Sequence, residues 1–380
     1  MNIGIFGAGK AGQSLYNYII EYAKQINVFG FIDNKQSGKV NDLEIFNSKD
    51  FFNKYNEQLD AIFIAAGAQK TVKLMIDIIK NYSNCDIFML HDIAGKCNIN
   101  PFFDNGDINE RYLRKIRFSS SKPTLPYFEV PITDKCNLNC KGCLFACNTI
   151  KGCEHVPKEQ IIKDAKRMSD LFNDIPWIRI LGGEPLMHPD IIEILKEYRK
   201  IYSDSEIDLC TNGLLVTKMN EDFFNCLVYN NITVHVSGYK PTYNLLEKID
   251  NKLKKYGLDY TVLKREDFLK YYTKEAINNA EYSFQNCIAS GCRELYRGKL
   301  IRCSAVIAFE KFNEQFNTSY VTKENEDWFD IHKENADAWD IKRKIDKCSS
   351  VCKYCDVDNM EEFKWDYSSK NVEIKDYIIK

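Results

Sequence analysis

The chain has 380 residues, which suggests two or three domains, and a hydrophobic fraction of 44% is ample for packed cores. Net charge is −2, so no basic footprint points to nucleic acid, and no apolar run approaches the ~20 residues that span a bilayer. The opening Asn2-Ile-Gly-Ile-Phe has no charged leader before it, so a cytoplasmic protein with no membrane or nucleic-acid partner is expected.

In chain order, Asn2–Phe6, Asn27–Ile32, Ala61–Ala66 and Asp86–Leu90 read as buried parallel strands. Amphipathic patterns at Ala11–Lys24 and Lys70–Tyr82 read as helices between them, which predicts an α/β domain over 1–100. Residues 101–122 mix turn formers with charge and read as a linker. A second alternating region spans 123–280. Its strands are Tyr127–Thr133, Trp177–Leu181, Glu206–Leu209, Ile232–Ser237 and Leu258–Leu263. Its helices are Lys158–Phe172, Ile191–Tyr202, Glu221–Tyr229 and Tyr243–Tyr256. The motifs below fall at strand C-termini, where α/β folds build active sites. The rhythm then stops, cysteines return over 281–357, and a polar, aromatic tail covers 358–380.

Gly7-Ala8-Gly9-Lys10-Ala11-Gly12 is a G-x-G-x-x-G between the first strand and the first helix, and Asp33 ends the next strand, near the spacing of a ribose contact. Such glycines allow a tight turn and let backbone approach a diphosphate at a helix N-terminus. This setting predicts a Rossmann-like domain. Together with Gly30-Phe31-Ile32-Asp33, the motif resembles the nucleotide-binding domains of polysaccharide-biosynthesis enzymes, which implies NAD or a nucleotide-sugar as ligand. The other reading is a degenerate domain kept for packing or dimerisation.

There are 15 cysteines, which in a non-secreted chain argues against disulfides, and eleven lie within 136–153 or 287–355, a clustering that favours metal centres over scattered core thiols. Cys136, Cys140 and Cys143 form C-x3-C-x2-C, a soft thiolate set suited to an iron–sulfur cluster or to zinc. A closed zinc site needs a fourth protein ligand, for which Cys147 or Cys153 is available. A [4Fe–4S] cluster on three cysteines leaves one iron open. The spacing resembles the radical SAM superfamily. That resemblance implies that the open iron chelates S-adenosylmethionine (SAM) and that electron transfer yields a 5′-deoxyadenosyl radical, which abstracts hydrogen from a substrate. Gly182-Gly183-Glu184-Pro185 resembles the family's element for the methionine amino group. Thr211-Asn212-Gly213 and Ser237 resemble the segments that approach the rest of the cofactor. The residue before the third cysteine is usually aromatic or apolar in this family and packs on adenine. Here it is Gly142, with Leu144 or Phe145 as the replacements considered.

Cys287, Cys303, Cys352 and Cys355, with Gly298 ahead of Cys303, resemble the auxiliary-cluster domains called SPASM and twitch. This implies a second, fully ligated [4Fe–4S] cluster, with Cys292 and Cys348 as spare or alternative ligands. A zinc ribbon is the competing reading, since C-x2-C serves zinc equally well.

The expected fold is therefore a Rossmann-like parallel sheet, then a partial (β/α)6 radical SAM barrel, then a small Cys-rich auxiliary-cluster domain. The expected function is hydrogen abstraction from a sugar or nucleotide-sugar, ending in oxidation or epimerisation, with a flavodoxin or ferredoxin-type protein as electron donor. Epimerisation needs a thiol hydrogen donor, and Cys147 and Cys153 are the candidates. The rivals are a SPASM-type peptide maturase, a radical methyltransferase and a non-enzymatic iron–sulfur redox sensor. The five histidines suggest no triad, and His188 reads as a solvated turn residue.

Overall fold

The computed structural model describes residues 1–66, 69–90, 102–104, 107–109, 112–149, 154–289, 291–369 and 371–379. It divides into two compact units, Met1–Arg117 and Phe118–Lys380.

The first unit contains β1 (Asn2–Phe6), α1 (Lys10–Tyr22), β2 (Asn27–Ile32), β3 (Gly38–Val40), β4 (Leu43–Phe46), α2 (Ser48–Tyr55), β5 (Ala61–Ile64), α3 (Gln69–Tyr82), β6 (Asp86–Leu90), β7 (Phe103–Asp104), β8 (Asp107–Ile108) and β9 (Leu113–Lys115). Seven strands form one sheet in the order β3-β4-β2-β1-β5-β6-β9. The central five are parallel, and β3 and β9 are antiparallel edges. The chain winds outward from β1 through β2 to β4, then returns to β5 on the other side. The C-terminal end of β1 is thus a topological switch point, where open α/β sheets bind ligands. Ile3, Ile5, Phe31 and Phe63 are fully buried, with Leu15 and Ile19 of α1 packed among them. The 101–122 linker expectation is corrected here. Phe102, Phe103 and Leu113 are buried in the same core, and β9 pairs with β6. Their apolar side chains had a sheet face to cover, which a linker would leave exposed.

The second unit contains β10 (Tyr127–Pro131), α4 (Lys158–Leu171), β11 (Trp177–Leu181), α5 (Ile191–Ile201), β12 (Glu206–Thr211), α6 (Glu221–Tyr229), β13 (Ile232–Gly238), α7 (Leu246–Lys255), β14 (Tyr260–Lys264), β15 (Asp267–Lys270), α8 (Ala280–Asn286), β16 (Glu294–Tyr296), β17 (Lys299–Ile301), α9 (Ala305–Phe316), β18 (Trp328–Asp330), α10 (Ala338–Ile345) and β19 (Glu361–Lys364). Its main sheet runs β14-β13-β12-β11-β10-β16-β17-β18. β10 to β14 are parallel neighbours in chain order, each step crossing through a helix, and β16 joins β10 in parallel.

Successive strand residues face opposite sides of a sheet. Phe128, Val130, Ile178, Ile180, Ile207, Leu209, Val234 and Val236 form one core with the apolar stripes of α4 to α7. The alternate positions, Glu129, Arg179, Asp208 and His235, put a polar row on the other face. The Cys-rich region is built onto this unit: β17 and β18 extend the sheet, and Tyr272, Phe309, Phe312, Tyr320 and Tyr354 make a separate aromatic core. The C-terminal segment is part of the unit too, since β19 pairs antiparallel with β15. Among the described residues, no helix is long and apolar enough to cross a membrane.

Candidate iron–sulfur site

The cysteine loop leaves the C-terminal end of β10, and each of its three thiols faces an N–H. Leu138 N lies 3.4 Å from Cys136 Sγ, and the Trp365 indole N–H donates to Cys140 Sγ at 3.1 Å. Cys143 sulfur is approached by the Cys147 thiol and by the backbone N–H groups of Cys147 and Phe145. Burial pushes the Cys136 and Cys140 thiols up to about 12, whereas the hydrogen bond from Cys147 brings Cys143 down to about 6. The three sulfurs feel one another's charge. Leu138 and Trp365, with Leu214, Tyr239 and Phe268, cover them.

This donor set fits a three-thiolate cluster. Metal coordination removes the thiol protons that burial otherwise retains, and the N–H groups offset the charge left on sulfur. Among the described residues no three His, Cys, Asp or Glu side chains converge on a single-ion position. Convergence on a point is not required, because each cysteine of a four-iron cube binds its own iron.

The Gly-Gly-Glu-Pro turn is locked under this loop. Gly183 N donates to Thr133 O at 2.7 Å and Glu184 N to Lys135 O at 2.8 Å. A Cβ on Gly182 would stand 2.6 Å from Thr133 O, and one on Gly183 would stand 2.2 Å from Lys135 O. The glycines therefore admit the backbone of the cysteine loop itself. Glu184, expected as an acceptor for an ammonium, is fully buried. Its carboxylate accepts from Leu186 N at 3.1 Å, Thr211 Oγ1 at 2.7 Å and Asn212 N at 2.8 Å. Asn212 in turn donates to Asn137 Oδ1 at 2.7 Å and lies 3.9 Å from Cys136 Sγ. The structure thus brings Cys136, Glu184, Thr211 and Asn212 together. Pro185 is buried and starts a short turn of 3-10 helix, and Ser237 lies near the end of β13, in register with Leu263.

Several residues here were not singled out from sequence. Arg179 Nη2 lies 3.0 Å from Asp208 Oδ2, which also accepts from Trp177 Nε1 at 2.8 Å. Tyr127 OH donates to Glu129 at 2.5 Å. The signal was available as polar–apolar alternation in Y-F-E-V, W-I-R-I and E-I-D-L. Lys311 of α9 donates to Asp134 Oδ1 at 2.7 Å and to Phe145 O at 2.8 Å, bracing the cysteine loop across a separation that no local pattern reveals. The His188 expectation is corrected. His188 is 2% exposed, donates from Nε2 to Val156 O at 2.9 Å and accepts from Asp190 N at 3.1 Å.

Beside Gly142, Leu144 is largely exposed and Phe145 packs toward the aromatic core. The space next to Gly142 belongs to Phe363, whose ring would lie 2.8 Å from an added Cβ. Cys147 is buried, hydrogen-bonded to Cys143 and close to Lys311. Cys153 lies outside the described residues.

A second thiol cluster lies among α8, the β17–α9 turn and the segment after α10. Cys287, Cys303, Cys352 and Cys355 line one cavity together with Tyr271 and Arg302. Ala289 N points at Cys287 Sγ at 3.3 Å, and Ala305 N and the Arg302 guanidinium face Cys303 and Cys352. Neither Cys292 nor Cys348 lines this cavity. Cys292 feels the charges of Glu129, Glu294 and Cys303, and Cys348 is hydrogen-bonded to Glu281.

In the first unit, Gly7 has φ +112°, and its Cβ would strike Ala65 O at 2.7 Å. Gly12 is pressed against the Gly7 carbonyl, while an added Cβ on Gly9 would meet nothing within 4 Å. Asp33 accepts from Ala8 N at 3.2 Å and from Lys35 N at 2.8 Å, so its carboxylate closes the glycine loop.

Residues 130–288 match the radical SAM superfamily. Similar proteins include the GTP 3′,8-cyclase of Petrotoga mobilis, 37% identical over 97 residues, 25% of this chain and 29% of that protein. The GTP 3′,8-cyclase of Clostridium perfringens is 25% identical over 171 residues, 44% of this chain and 45% of that protein. The chain spans less than half the length of either relative. Among solved structures, BtrN in complex with AdoMet and 2-DOIA overlaps 68% of this chain and all of its own, at 12% identity and TM-score 0.36. Native anSMEcpe with bound AdoMet and a peptide overlaps 37% of this chain and 43% of its own, at 23% identity and TM-score 0.30. Residues 130–288, which contain the three-cysteine loop and the Gly-Gly-Glu-Pro turn, are a radical SAM superfamily domain, which implies a [4Fe–4S] cluster and SAM as cofactors.

Proposed function

We propose that this protein is a radical SAM enzyme that removes two hydrogens from a sugar or nucleotide-sugar. When bound, the cluster and SAM supply a radical able to attack an unactivated C–H. Cys136, Cys140 and Cys143 would hold that cluster. Gly182, Gly183, Glu184 and Pro185, with Thr211, Asn212 and Ser237, would frame SAM. The observation that carries oxidation is the shared cavity of Cys287, Cys303, Cys352 and Cys355. Four protein thiolates leave no open iron on an auxiliary [4Fe–4S] cluster, so a group held there serves electron transfer and does not bind SAM. Support for a nucleotide-linked substrate comes from the glycine loop at the switch point and from the relatives named for GTP.

The test is anaerobic incubation of the reconstituted protein with SAM, dithionite and a panel of nucleotide-sugars. The expected result is 5′-deoxyadenosine together with a product two hydrogens lighter. Turnover with peptides alone would replace this reading by the peptide-maturase one, and no SAM cleavage under any condition would favour a redox sensor.

A further inference from the structure

The segment 361–368 is strapped onto the cysteine loop. After β19, Trp365 N donates to Glu266 O at 2.6 Å, which fixes the start of the strap. Lys141 N then donates to Asp366 O at 3.0 Å and Ser368 N to Asn139 O at 2.8 Å, and Tyr367 bridges Cys140 in antiparallel fashion. Asn148 ties loop and strap from another side, donating to Cys140 O and to Ser368 Oγ, each at 3.0 Å. The strap thus pairs with the loop through backbone groups, and its position does not depend on one side chain.

This pairing carries Trp365 to the middle cysteine. The indole is 6% exposed. It stacks on Tyr239 at 6.2 Å and 18°, and Tyr367 packs edge-on against it at 4.7 Å. Indole N–H is a donor only, and here it meets Cys140 Sγ at 3.1 Å. Phe363, two residues earlier on the same strap, fills the space beside Gly142.

We propose that Trp365 is a tuning residue for the cluster on Cys136, Cys140 and Cys143, its indole N–H raising the potential at which that cluster accepts an electron. The proposal rests on the cluster reading of those three cysteines. Reduction adds negative charge that is shared with the thiolate sulfurs, and a donor fixed at one sulfur stabilises the reduced state more than the oxidised one. Because Trp365 belongs to the strap, the C-terminal segment becomes a working part of the radical cluster's surroundings.

The test is a redox titration of the anaerobic holoprotein, followed through the EPR signal that SAM perturbs. Trp365→Phe, which keeps an aromatic stack but loses the N–H, is expected to shift the midpoint to more negative potential, with iron content retained. Trp365→His, which restores a donor, is expected to recover part of the shift. Wild-type protein labelled with 15N-indole tryptophan should show 15N hyperfine coupling to the reduced cluster, absent in Trp365→Phe. An unchanged midpoint with intact iron, or no 15N coupling in the wild type, would overturn the proposal. The coupling decides the matter even if Trp365→Phe fails to assemble a cluster. Failure of the underlying reading looks different: the SAM-perturbed signal would survive replacement of Cys136, Cys140 and Cys143.

Discussion

Thr211 Oγ1 donates to the Glu184 carboxylate at 2.7 Å, and this bond joins the Gly-Gly-Glu-Pro turn to the Thr-Asn-Gly turn of the next strand. Two motifs that look like separate cofactor contacts are one buried assembly. Glu184→Ala would strand the Thr211 hydroxyl and the N–H groups of Leu186 and Asn212. An unsatisfied buried polar group costs about 1–3 kcal/mol, so the variant should lose at least about 2 kcal/mol. Thr211→Val should lose less, because Glu184 keeps its two backbone donors. The measurement is the urea midpoint of anaerobic protein, and an unmoved midpoint for Glu184→Ala would refute the role of this assembly.

The parallel strands were legible in the sequence because buried strands read as apolar runs: Asn2–Phe6, Asn27–Ile32, Trp177–Leu181 and Asp86–Leu90 end where the runs end. α2 and the β3–β4 hairpin were not singled out, being short and set between stronger signals. The three-cysteine loop was legible because its ligands are close in sequence. Trp365 was not, since it reaches Cys140 across 225 positions. Nor does C-x2-C spacing choose four ligands from six cysteines. That choice depends on where the fold places each thiol, and Cys292 and Cys348 fall outside the cavity that the other four line.

Gly9 and Gly12 should respond differently to a side chain. A Cβ on Gly12 would lie 1.9 Å from the Gly7 carbonyl oxygen, so Gly12→Ala should cost about 1–3 kcal/mol or more. Gly9 caps α1 with open space beside it, so Gly9→Ala should cost under about 1 kcal/mol. If the loop cradles a diphosphate, Gly9→Val should abolish nucleotide or nucleotide-sugar binding in calorimetry while leaving Tm and iron content nearly unchanged. Absence of nucleotide binding to the wild-type protein would leave the first unit a structural role.

Replacing Cys136, Cys140 and Cys143 together by Ala should remove about four irons and all SAM cleavage. The second thiol cluster, built on different elements, should keep its metal. Full iron content with undiminished 5′-deoxyadenosine formation would exclude these residues as ligands.

The second cluster allows a finer test. Cys303→Ala and Cys355→Ala remove thiols that line the cavity, so each should diminish or abolish the auxiliary iron while SAM cleavage persists. Cys292→Ala and Cys348→Ala lie outside it and should retain about four auxiliary irons each. Zinc in place of that iron, in anaerobically prepared protein, would identify a zinc ribbon instead.

The fate of the substrate radical turns on whether a thiol is free to return a hydrogen atom. Cys147 is buried, and its S–H is directed at Cys143, one of the three loop thiols. Once Cys143 carries iron, that hydrogen bond would steady a ligand sulfur, and giving the hydrogen atom to a substrate would sacrifice it. On the proposed reading, Cys147 is therefore not the hydrogen donor, and oxidation is the expected outcome. Cys147→Ser, which keeps a donor facing Cys143 but removes the thiol, is expected to retain turnover, whereas an epimerase that used this thiol would lose it. Turnover in deuterium oxide separates the outcomes directly. A product two hydrogens lighter, with no deuterium gained at carbon, is the expected result. Solvent deuterium on a substrate carbon, lost in Cys147→Ser or in Cys153→Ser, would instead identify a thiol hydrogen donor and establish epimerisation.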